Sequence, residues 1–107
     1  MRRNARIDAN QPEVVRAFRS CGATVGHTHM VGDGFPDIVV GFGGDNYLIE
    51  IKDGDKPPSG RKLTSDEEEW HREWRGSVHI IESADQAVEF MQDRHKKGDS
   101  PVLGQKR

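Results

Sequence analysis

Asp37, Glu50 and Lys52 are the residues of this chain best suited to do chemistry. Each interrupts an apolar stretch: Gly-Phe-Pro-Asp-Ile-Val-Val-Gly at 34–41 and Tyr-Leu-Ile-Glu-Ile-Lys at 47–52. Two acids and a lysine on one apolar surface are costly to bury without a partner. Carboxylate oxygens suit a hard divalent cation such as Mg2+ or Mn2+, which keeps several waters and accepts phosphate oxygens. A lysine beside such an ion can hold or activate a water, or steady charge developing on a phosphate. The chemistry predicted is metal-assisted hydrolysis of a phosphate ester.

That chemistry needs a backbone that brings the three together. Residues 38–40 and 47–51 read as β runs, and Gly43, Gly44, Asp45 and Asn46 between them are turn formers, so the pair reads as a hairpin. Side chains alternate along a strand, so Glu50 and Lys52 share a face while Ile49 and Ile51 take the other. A two-residue turn at Gly44-Asp45, or a four-residue turn at 43–46, places Val39 opposite Glu50 and Asp37 opposite Lys52. All three charges then share one face, whereas an odd turn length would separate them.

Pro-Asp, twelve residues, then Glu-Ile-Lys resembles the PD-(D/E)xK nuclease superfamily. More narrowly, residues 34–41 with 47–52 are similar to the small stand-alone VRR-NUC-type nucleases of phages and bacteria. The resemblance spans roughly residues 9–91. It implies an α/β, restriction-endonuclease-like core: a mixed four-stranded sheet flanked by helices, in the order α-β-β-β-α-β-α. It also implies a Mg2+- or Mn2+-dependent endodeoxyribonuclease, structure-specific and able to cut four-way junctions, working as a homodimer. The residues implied at the ion are Asp37, Glu50, the carbonyl of Ile51 and, from the first helix, Glu13. Lys52 would position or deprotonate the attacking water. Related nucleases carry a glutamine on the helix after a Leu-Thr/Ser motif; here the run Asp-Glu-Glu-Glu has none, and Glu68 or Glu69 is expected in its place. The competing reading is a noncatalytic DNA- or partner-binding module on the same fold. A nucleotide hydrolase is disfavoured because no Walker-type phosphate loop is present.

The remaining elements follow from periodicity and caps. Residues 9–21 read as a helix with Asn10 as N-cap, Pro12 in the first turn and Gly22 as the stop. Val14, Ala17, Phe18 and Cys21 form its apolar stripe, with Glu13 at the margin and Arg16 toward solvent. Residues 23–31 read as an edge strand with His27 and His29 on one exposed face; no further Cys or His completes a transition-metal set. Residues 53–63 read as a basic loop whose Lys56, Arg61 and Lys62, with Arg16, are candidate phosphate contacts. A helix capped by Thr64 or Ser65 runs to about residue 75, with Trp70 and Trp74 expected in the core. A buried strand at 77–81 precedes a last helix, capped by Ser83, through about residue 94. The domain is expected over 1–95, with a polar, flexible tail over 96–107.

Composition bounds these readings. The chain has 107 residues, enough for one modest core, and a formal net charge of −2, unlike a strongly basic dedicated DNA binder. Its single cysteine can form no internal disulfide, which fits a reducing compartment. No apolar run approaches the length of a membrane span, so a cytoplasmic protein of a bacterium, or of a phage in a bacterial host, is expected.

Overall fold

A computed structural model describes residues 7–98. The elements are α1 (Gln11–Ser20), β1 (Thr24–His27), β2 (Ile38–Phe42), β3 (Asp45–Ile51), α2 (Ser65–Glu73), β4 (Val78–Ile81) and α3 (Ala84–Gly98). They form an α/β domain around one four-stranded sheet of order β1-β2-β3-β4. β1, β2 and β3 are an antiparallel meander, and β4 runs parallel to β3 after a crossover through α2.

The β2–β3 hairpin turns at Gly43-Gly44, one residue earlier than expected. Both glycines take positive φ, 61° and 85°, the conformation a tight two-residue hairpin turn requires. Phe42 therefore pairs with Asp45 and Val39 with Leu48, instead of Glu50. The register moves by two residues, so the faces are preserved: Ile38 pairs with Ile49 on one face, and Glu50 points to the other.

The core lies on the first of these faces. Ile38, Val40, Ile49, Ile51 and Ile81 pack beneath Val14, Val15 and Phe18 of α1 and Ala87 and Met91 of α3. The predicted α1 stripe is buried except for Cys21, which is half-buried against the cluster. Phe18 is fully buried and meets Phe90 edge-on at 6.2 Å. Its truncation to alanine would cost about 3–5 kcal/mol.

Several expectations change. The first strand ends at His27, and His29 lies in a 3-10 turn (His29–Val31) instead of alternating beside it. Asn10 makes no capping bond; its Nδ2 donates to the carbonyls of Lys52 (3.1 Å) and Glu82 (3.0 Å), tying the start of α1 to the ends of β3 and β4. Thr64, not Ser65, caps α2, with Glu67 closing a reciprocal capping box. Trp70 and Trp74 are not in the core: α2 has no buried residue, and Trp74 is 42% exposed. The two indoles stack on each other at 4.5 Å and meet Phe35 edge-on, outside the buried cluster. The loop carrying Phe35 comes close enough to α2 that a Cβ on Gly34 would collide with the Asp66 carbonyl. The basic loop is partly ordered, with a 3-10 turn at Pro58–Gly60. Ser83 caps α3 through Gln86 N at 3.0 Å, and the helix continues to Gly98, past the expected domain end; the rest of the expected tail lies outside the described residues.

Candidate active site

The cleft at the end of the β2–β3 hairpin is lined by Asp8, Asp37, Glu50, Ile51, Lys52, Thr64 and Glu67, and holds about 400 Å³. β3 supplies Glu50 directly and Lys52 just past its end; Asp37 precedes β2 and is fixed by its own backbone, whose N–H donates to the Ile49 carbonyl at 3.0 Å. Asp37 Oδ2 accepts the Ile51 N–H at 2.7 Å, which aims its carboxyl across the strand toward Glu50. Asp37, Glu50, Lys52 and Ile51 are thus brought together as the sequence predicts.

Burial makes this cluster unusual. Glu50 is 2% exposed and Lys52 8% exposed. Loss of hydration pushes Glu50 up to about 10, reinforced by the charges of Asp37 and Glu67. Asp37 is also raised, again by burial, although its bond from the Ile51 amide opposes the shift. Glu50 Oε1 is buried and has no hydrogen-bond partner. At neutral pH the pair therefore retains a proton, and a cation can take that proton's place.

Lys52 balances the acids. Its Nζ is 2.7 Å from Glu67 Oε1 and 3.7 Å from Glu50 Oε2. Burial pulls its pKa down, but the Glu67 hydrogen bond and the surrounding carboxylates outweigh this and leave it raised. Glu67, pushed up by burial, is held below its usual value by Lys52 and by the Thr64 amide, which donates to it at 2.9 Å.

Two residues of this cleft escaped sequence reasoning. Glu67, not Glu68 or Glu69, turns into it; Glu68 and Glu69 are exposed. The Thr-x-x-Glu spacing from Thr64 to Glu67 was the available signal, because a capping box folds its glutamate back over the helix start. Asp8 lies ahead of α1 and belongs to no motif.

Glu13 is exposed and lines a different cleft, with Asn10, Asp53, Gly54, Asp55, Glu82, Ser83 and Gln86. The buried polar residue in the first turn of α1 is Gln11. Of the candidate phosphate contacts, Lys56, Lys62 and Arg16 are exposed. Arg61 is tied down, with Nε donating to the Lys56 carbonyl at 2.8 Å and Nη1 3.3 Å from Glu82 Oε1.

The donor set fits a hard divalent ion in kind, being oxygen-rich with one orphaned buried carboxylate oxygen. Among the described residues, however, no three His, Cys, Asp or Glu side chains already form a metal-holding group. Comparisons of the chain with family models, curated proteins and solved structures found no match. No helix among the described residues is long and apolar enough to cross a membrane.

Proposed function

We propose that this protein is a Mg2+- or Mn2+-dependent DNA endonuclease of the VRR type, built on a restriction-endonuclease-like core. The observation that carries the reading is the convergence of Asp37, Glu50 and Lys52 in one cleft, with a buried Glu50 oxygen that lacks a donor. The mixed sheet and the element order agree with the core that the motif resemblance implies.

In this reading Asp37, Glu50 and the Ile51 carbonyl hold the ion, which when bound supplies Lewis acidity to the scissile phosphate and acidifies a bound water. Asp37 is oriented for this by the Ile51 amide, and Glu50 by the rigid strand that carries it. Lys52, whose Nζ is held by Glu67 at 2.7 Å, serves in this reading as a donor that positions water or a phosphate oxygen. Lys56 and Lys62, exposed on the loop after β3, and Arg16 on α1 are the proposed backbone contacts. Branched DNA, including four-way junctions, and a second copy of the chain are the partners this reading implies, since a small domain offers little surface for gripping long DNA.

Supercoiled plasmid incubated with Mg2+, Mn2+ or EDTA tests the reading. Nicking in either metal and none in EDTA is expected. DNA retained without cleavage in both metals would identify the noncatalytic module instead. Competition among four-way, flapped, nicked and single-stranded DNA then ranks the substrates.

A further inference from the structure

Asp8 lines the same cleft as Asp37, Glu50 and Ile51, and its charge acts on both Asp37 and Lys52. Its backbone is anchored, because the amide of Gln11 donates to its carbonyl at 2.9 Å. Its carboxylate is not committed to the cleft: Oδ1 is 3.6 Å from Lys56 Nζ, in a pair whose side chains are 26% and 49% exposed. Such an exposed pair contributes little and is easily exchanged. With Asp8 turned toward Lys56, the cleft offers the ion two carboxylates, Asp37 and Glu50, since Glu67 is engaged by Lys52 at 2.7 Å. Glu50 Oε1, at the same cleft, is buried and makes no hydrogen bond.

Resting on the nuclease reading above, we propose that Asp8 is the third carboxylate of the cation site, and that it exchanges Lys56 for the ion when the ion binds. Glu13, in the other cleft, takes no part. The exchange has a consequence for DNA. An ion that draws Asp8 inward releases Lys56, an exposed cation beside the cleft, to a phosphate. Ion and DNA then each favour the other's binding, as linkage requires.

Calorimetric titration of Mn2+ into the full chain, without DNA, separates this proposal from the reading beneath it. Wild type is expected to bind and Asp37→Asn to lose binding. Asp8→Asn should bind roughly tenfold more weakly, the scale seen when a group supporting a metal site is removed, and Glu13→Gln should match wild type. Lys56→Ala should bind more tightly, and that gain should vanish in the Asp8→Asn/Lys56→Ala double variant. A merely structural role for Asp8 does not produce this reversal of sign. Unchanged affinity in Asp8→Asn, with binding lost in Asp37→Asn, removes Asp8 and leaves the nuclease reading standing. Weaker binding by Glu13→Gln with Asp8→Asn unchanged moves the role to Glu13. A Lys56→Ala gain that persists in the double variant overturns the exchange. No binding by wild type overturns both proposal and reading.

Discussion

Two of the acidic clefts among the described residues differ in what surrounds their carboxylates. One holds Asp8, Asp37, Glu50 and Glu67; the other holds Glu13, Asp53, Asp55 and Glu82. Asn10 lines the second and hydrogen-bonds the backbone of Lys52, which lines the first. Each contains four acids, so charge alone does not distinguish them. In the second, Glu13 and Asp55 are exposed, Asp53 is half-exposed and accepts the Asp55 N–H, and Glu82 is paired with Arg61. In the first, Glu50 is almost sealed from water and is pushed up to about 10. An acid becomes a functional candidate when the fold withholds its hydration and leaves an oxygen unpartnered.

The sharpest break in this comparison is at Lys52. Lys52→Ala should lower plasmid cleavage by about 100-fold or more, the range of a positioned proton donor, while Mn2+ binding by calorimetry is retained. Turnover near wild type in Mg2+ would remove Lys52 from the reaction.

Glu50→Gln should weaken Mn2+ binding and raise the stability of the ion-free protein. An acid whose folded pKa lies above its unfolded value opposes folding once pH exceeds the unfolded value. For Glu50 the loss sets in above about pH 4.5 and grows toward about pH 10. Thermal melts in EDTA should show Glu50→Gln gaining on wild type as pH rises across that window, by roughly 4–8 °C for each kcal/mol relieved. Melts in which Glu50→Gln gains nothing over wild type as pH rises would mean that burial does not set Glu50 apart.

Thr64→Ala removes the Oγ1 that accepts the Glu67 N–H at 3.2 Å, loosening the start of α2 under Glu67, and should cost about 1 kcal/mol in denaturant unfolding. Because Glu67 holds Lys52, cleavage should fall in the same variant; a purely additive surface loss would leave activity per folded molecule unchanged. The smallest effect is at Glu13. Glu13→Gln should lose only a few tenths of a kcal/mol through the helix dipole, with cleavage near wild type. A tenfold fall in rate without loss of folding would bring the two clefts into one site.

Local sequence was sufficient wherever a short-range rule decides the outcome. Helical spacing placed Val14, Ala17 and Phe18 of α1 in the core. Strand alternation and an even turn put Asp37, Glu50 and Lys52 together, and this survived a two-residue error in register because parity, not the particular turn, selects the face. Tertiary packing decided the rest. Two even-length turns were compatible with the hairpin, and the positive φ of Gly43 and Gly44 selected a third. The spacing of Trp70 and Trp74 suggested burial, but α2 packs with no buried residue, and the indoles stack on each other and meet Phe35 instead. Whether an acid on or before a helix meets the hairpin depends on how that helix is rotated and seated on the sheet. This is why Asp8 and Glu67 line the cleft while Glu13, one residue from the apolar stripe, faces elsewhere: the stripe sets which side of α1 goes down, and only contacts distant in sequence, such as Asn10 with the ends of β3 and β4, set where along the sheet it lands.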